Sequence, residues 1–404
     1  MAGFIKLLFT AFAYSITSFL YIFMILMVYL HIKARAQLEE TWLGFLRGTM
    51  RDRLLNAMLY GMITGLAAST LIAVAGIPID LNTILVIWPL ALLLTLLDFR
   101  YLCFSYAGGL LSLISLIFGW PDIQVPAVIA LIGILHLIES VLIVLDGHRD
   151  ALPVVMEHKR FKPVGGFVMN KLWPVPLVIL TMPTQLLPAS GGTVAMPDWW
   201  PVFGMRGEGG LLLFPMAVIL EYSGLATTGV PKQRTRATGF WLAAYSLFIL
   251  GLASLSIKVP WLQYSGAVLM PLLHELILHG SWKSQLKGKP VFGAPWRGIR
   301  ILDVYPDYMG SRMGLKSGDI VMNVNGQAVN SEEMLRETLN KASTYVWIDV
   351  KRAGKMQTVE CRNYKDEDQL GVLFVPRKAS RLFLPTEQNG LAFTLWKRLA
   401  QRRQ

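Results

Sequence analysis

Five ionisable side chains lie in or beside long apolar runs, where burial in lipid makes charge expensive. His136 and Glu139 are three residues apart in the run 125–145, so on a helix they share a face and can hydrogen bond. His274 and Glu275 lie in the run 261–278, and His279 follows just beyond its end. If the two runs meet in a bundle, these side chains can assemble a metal or proton site. The competing reading is structural, because buried polar pairs also bind helices to one another by interhelical hydrogen bonds. That second reading is preferred for His136, Glu139, His274 and Glu275, and His279 can simply be solvated. Cys103, in an apolar run, and Cys361, in a polar region, read as ordinary reduced thiols rather than a disulfide pair. Neither a metal nor a cofactor is expected.

A sharper reading is an intramembrane metalloprotease of the site-two type, which combines a helical His-Glu-x-x-His with a distant Asp-Gly motif. The chain has His274-Glu275 and Asp146-Gly147. Spacing argues against the match. His274 and His279 stand about 140° apart around a helix of ~3.6 residues per turn, so they do not face one zinc ion. The Asp-Gly element also precedes the His-Glu element, reversing the order in that family. No Gly-x-Ser-x-Gly and no Walker-type glycine loop is present. The chain therefore reads as non-catalytic, with an intramembrane protease or a transporter accessory as the alternative.

The elements that must position these residues follow from composition. The 404 residues are 54% hydrophobic and 16% charged, with mean hydropathy +0.48. This is the balance of a membrane protein with soluble appendages. About 20 apolar residues cross the hydrocarbon, and seven runs qualify: 8–30, 54–76, 81–97, 102–119, 125–145, 240–257 and 261–278. The region 146–237 is basic and broken by prolines such as Pro174, Pro176 and Pro215. Proline removes a backbone donor, and unsatisfied backbone is costly in lipid. This region is either a small cytoplasmic insert with strands near 164–169, 177–181 and 211–220, or two further short spans with the loop 188–209 outside. The net charge is +12. Lys and Arg concentrate in 31–53, 146–172, 232–236 and 281–289, and are sparse in 77–80, 120–124 and 258–260. Seven spans put all four basic stretches in the cytoplasm, facing anionic lipid, with the N-terminus outside. No basic and aromatic cluster suggests nucleic acid.

After the last two spans (238–284) the chain changes character. Between 285 and 376, short β-type runs, charges and glycine turns alternate. The order of Gly298-Ile299, of Gly314-Leu-Lys-Ser-Gly-Asp-Ile320, of the Asn325-Gly326 hairpin signal and of helical periodicity over 331–340 resembles a bacterial PDZ domain. Two further strands are expected at 345–351 and 356–361. Such modules capture an extended peptide as an added strand. The resemblance implies that the strand Ile299, Arg300, Ile301 and Leu302 offers the edge. The N–H groups of Arg297, Gly298 and Ile299 would receive a carboxylate. Met334, Leu335 and Leu339 on the helix would close the groove, with at least one of them a core residue instead. Pro295 and Trp296 depart from the commonest glycine-leucine loop, which leaves an internal segment as the alternative ligand. The tail 377–404 reads either as an amphipathic surface helix at 391–399 or as a disordered basic tail.

The segments 101–113, 135–149 and 165–176 are distinctive: Tyr101-Leu-Cys-Phe-Ser-Tyr-Ala-Gly-Gly-Leu-Leu-Ser-Leu113, Leu135-His-Leu-Ile-Glu-Ser-Val-Leu-Ile-Val-Leu-Asp-Gly-His-Arg149 and Gly165-Gly-Phe-Val-Met-Asn-Lys-Leu-Trp-Pro-Val-Pro176. With a multispan first part (1–145) and one C-terminal PDZ domain, they resemble the MinJ family of Gram-positive, spore-forming bacteria. The resemblance implies a scaffold for division-site selection at septa and poles. It would link a DivIVA-like marker to a MinD-like division inhibitor. It carries over no catalytic residues.

Overall fold

The computed structural model describes residues 2–157, 163–183, 198, 200–201, 210–341, 345–362 and 370–377. The amphipathic helix expected at 391–399 lies outside these, as does most of the loop 188–209. The membrane unit contains α1 (Ala2–Thr17), α2 (Phe19–Leu43), α3 (Met50–Ala75), α4 (Leu81–Thr95), α5 (Phe104–Phe118), α6 (Val125–Leu145), α7 (Pro231–Lys258) and α8 (Trp261–Lys287). Among the described residues, α2, α3, α6 and α7 are long and apolar enough to cross a membrane. Length and composition thus support four crossings of this kind, not the seven expected.

The differences have local causes. The run 8–30 is divided at Ser18, whose backbone is extended and whose hydroxyl accepts from Tyr21 N–H to start α2. Hydropathy is blind to such a cap. Helices α4 and α5 have 15 residues each, or about 22 Å at ~1.5 Å per residue, short of the ~30 Å hydrocarbon core. Between them the chain turns at Asp98, whose carboxylate accepts from Arg100 N–H. The tip of this hairpin reaches α6 and α8 near their middles.

The region 146–237 does not form a separate layer. It folds as β1 (Leu152–Met156), β2 (Val164–Thr181) and β3 (Leu212–Ala226), in the order β1-β2-β3. Phe167 to Thr181 pairs antiparallel with Ala226 to Leu212. The resulting ribbon shares one hydrophobic core with α3 and α6, through Trp173, Val175, Leu177 and Ile179. At one end Val164 bridges Gly293, ahead of the C-terminal domain, and at the other Leu180 bridges Pro78, in the turn after α3. At ~3.3 Å per residue this ribbon is longer than the hydrocarbon core is thick.

Such a ribbon is tolerable at membrane depth only where protein covers its edges. Helix α3 does this for β2. A Cβ on Gly61 would lie 2.1 Å from Pro174 O, and one on Gly65 would lie 2.1 Å from Pro176 O. One helical turn further, Ser69 Oγ accepts from Val178 N–H at 2.9 Å. Four helical residues rise ~6.0 Å and two strand residues ~6.6 Å, so the two repeats stay in register. Residues 174, 176 and 178 face α3. Two of them are prolines with no N–H to satisfy, and Ser69 satisfies the third.

The C-terminal unit contains β4 (Ile299–Val304), α9 (Met309–Arg312), β5 (Ile320–Val324), β6 (Gln327–Ala328), α10 (Glu332–Asn340), β7 (Tyr345–Arg352), β8 (Lys355–Arg362) and β9 (Val372–Phe374). Its sheet runs β8-β7-β5-β4-β9, with β6 on β5. The turns at Asn325-Gly326 and Ala353-Gly354 have positive φ at both residues, the hairpin geometry expected of such pairs. Ser331 caps α10 by accepting from Met334 N–H. Leu335, Leu339, Val321, Ile348 and Phe374 form its core. Strand order and helix placement make this a PDZ-like domain.

Candidate functional site

Two places deserve the word site: the edge of the PDZ-like sheet and the polar cluster inside the helices. At the first, the structure corrects the expected geometry. Strand β4 has no free edge. Ile299 and Arg300 pair with β5, while Ile301, Asp303 and Val304 pair with β9. Ile301 N–H donates to Asp319 O, and Val375 N–H donates to Arg300 O. One N–H of the expected carboxylate nest, that of Gly298, is also engaged. Gly298 N–H donates to Asn330 Oδ1, and the Arg377 guanidinium donates to Trp296 O and Gly298 O. Leu302 is buried against the membrane unit's core rather than facing a groove. Of the helix residues, Leu335 and Leu339 are core, at 2% and 6% exposure, and Met334 is exposed at 44%. The edge strand β9 was not foreseen. Three residues after a charged stretch give too short a run to read as a strand.

The PDZ-like domain is docked on the membrane unit. Arg47, between α2 and α3, donates to Glu39 Oε1 at 2.6 Å, to Asp303 Oδ2 at 2.9 Å and to Ala151 O at 2.9 Å. Arg53 donates to Glu39 Oε2 at 2.6 Å. Phe45 packs edge-on against Tyr305 and also meets Tyr308. Burial pushes the Asp303 carboxyl up from its ordinary range, and the neighbouring Arg47 pulls it back part of the way. Burial likewise lowers Arg300, whose Nε donates to Gly293 O at 2.8 Å. Two of the basic residues expected to face lipid, Arg47 and Arg53, therefore turn inward and pair.

The second place gathers side chains from α5, α6, α7 and α8 and from the turn before α5. Cys103, at the start of α5, lies with Sγ 3.1 Å from His136 Nε2 and 3.8 Å from His274 Nε2. His136 Nδ1 is 2.8 Å from Ile132 O. His274 Nδ1 is 3.4 Å from Tyr106 Oη, which donates to Glu275 Oε2 at 2.5 Å. Arg100 donates to Glu275 Oε1 at 3.0 Å. Glu139 places Oε2 4.0 Å from His136 Nε2, and Tyr245 lies edge-on to His136. The close approach of α5 to α8 depends on Gly109, where a Cβ would lie 2.7 Å from Ala267 O. His136, Glu139, His274 and Glu275 thus meet as one cluster, and His279 is exposed and takes no part. Asp146 stands elsewhere, buried and accepting from Trp173 Nε1–H at 2.8 Å. The Asp-Gly element anchors β2. Sequence reasoning missed Cys103, because one cysteine in an apolar run carries no spacing signal.

No family model matches the chain. It is similar to the cell division topological determinant MinJ of Bacillus subtilis (strain 168), with 25% identity over 256 residues, covering 62% of each chain. The match therefore spans less than two thirds of that relative's length. A crystal structure of the PDZ domain of the SdrC-like protein from Listeria monocytogenes aligns with 20% of this chain and 92% of its own, at 18% identity and TM-score 0.18.

Proposed function

We propose that this chain is a non-catalytic membrane scaffold that helps to select the site of cell division. The observation that carries the reading is the similarity to the topological determinant MinJ, which extends over 256 residues. It is supported by a PDZ-like domain joined to a multi-helix membrane unit, a combination suited to holding proteins at a surface. The domain and the basic loops would face the cytoplasm, where anionic lipid favours them. Partners would be division proteins of the DivIVA-like and MinD-like kinds. One partner segment would add as a strand to the outer edge of β9, beside α10 and its exposed Met334. That edge replaces β4, since among the described residues β9 has only β4 as a neighbour and shares the core of Leu335 and Leu339.

A fluorescent fusion in the native cell is expected to gather at septa and poles, and deletion of the gene to give filaments or minicells. Uniform membrane fluorescence with normal division would sink the proposal. A pull-down with residues 285–376, set beside one with the membrane half, assigns each partner to a region.

A further inference from the structure

The polar cluster poses a chemical problem that a metal ion resolves. A backbone carbonyl only accepts, so the His136 Nδ1 facing Ile132 O carries its proton. Its Nε2 then presents a lone pair to Cys103 Sγ. Tyr106 gives its proton to Glu275, so its oxygen accepts from His274 Nδ1–H. His274 Nε2 therefore also presents a lone pair to the same sulfur. A thiol has one proton, and two acceptors face it in a site where the imidazoles are 2% and 5% exposed.

We propose that Cys103, His136 and His274 hold a transition-metal ion of the zinc class, which staples α5, α6 and α8 together. The three ligand atoms lie within 4.8 Å of one another. A tetrahedral zinc with bonds of ~2.3 Å to sulfur and ~2.05 Å to nitrogen places S and N about 3.6 Å apart, and the observed 3.1 and 3.8 Å bracket that value. One thiolate with two imidazoles selects zinc-like ions over magnesium or calcium. The outer contacts are those a ligating imidazole needs: a carbonyl on His136 Nδ1, and a tyrosine backed by a carboxylate on His274 Nδ1. Binding exchanges the thiol S–H bond for a sulfur–metal bond and releases the proton to water. With Glu139 beside His136, the thiolate and one carboxylate offset the charge of a divalent ion, as a low-dielectric bundle requires. The inference goes beyond the scaffold reading and stands or falls separately from it.

The test uses the full chain, purified in detergent with a tag that contains no histidine. One zinc per chain is expected to survive gel filtration. Cobalt(II) in its place is expected to show a thiolate-to-metal charge-transfer band. Cys103→Ser should remove both band and stoichiometric metal, while His279→Ala keeps both. Tyr106→Phe, which leaves the ligands intact, should weaken binding by about 10- to 100-fold. This variant and direct metal titration of the wild type keep the test decisive if Cys103→Ser misfolds. A monodisperse wild type that retains no metal, and whose cobalt spectrum lacks the charge-transfer band, would overturn the proposal.

Discussion

Ser69 fills a structural role that its type alone does not announce. Its hydroxyl is the acceptor for Val178 N–H, a donor placed among apolar residues at the contact of α3 with β2. Ser69→Ala leaves that donor unpaired and is expected to cost about 1–3 kcal/mol, read as a lower midpoint in thermal unfolding of the detergent-solubilised protein. An unchanged midpoint would mean that water or another group takes over. Gly65→Val is expected to be worse, since even a Cβ at that position meets Pro176 O, and strand and helix must part. At this scale the sequence was partly legible. His136, Glu139, His274 and Glu275 were conspicuous because charge is rare in apolar runs. Ser69, Gly61 and Gly65 were not, because small residues in a membrane helix are common and their partner strand is far away in the chain.

Among the elements, the β2–β3 ribbon was the hardest to read. Helix α6 matched its apolar run, and α10, β7 and β8 lay within a residue or so of their expected bounds, because caps, turns and period mark them. The ribbon lacks those marks. It is buried on both faces over much of its length, so the alternation that identifies a strand is missing. Its prolines looked like interruptions. They are instead what allows the strand to lie against α3 without stranded donors. Pro174→Ala restores an N–H on the edge that faces Gly61, where Pro174 N and O already approach the helix. Removing a proline from a strand usually relieves a constraint. Here it is expected to destabilise, by about 1–3 kcal/mol, with greater protease sensitivity of the 182–211 connection. Stabilisation by the same substitution would show that this edge reaches water.

At the scale of the whole molecule, the question is how firmly the PDZ-like domain is held to the membrane unit. The contacts that cross between them include Arg47 with Asp303, Phe45 with Tyr305 and Tyr308, the Val164–Gly293 bridge and the Gly165 N–H to Phe292 O bond. Arg47 is central, since it also pairs with Glu39, which is 3% exposed. Arg47→Ala leaves Asp303 without its cation and removes one of two cations from Glu39. The expected cost is about 1–3 kcal/mol, and it falls on docking rather than on either unit, because the PDZ core of Ile301, Val321 and Leu335 contains no residue of the membrane unit. Hydrogen exchange in lipid nanodiscs checks this. Faster exchange is expected at β9 and at 291–298, where the two units meet, with little change inside β7 and β8. Uniform acceleration across the domain would mean that Arg47 supports its fold instead. A partner strand adding to β9 must compete for the same contact region. Arg47→Ala should therefore also strengthen peptide capture, so that loosening and binding rise together.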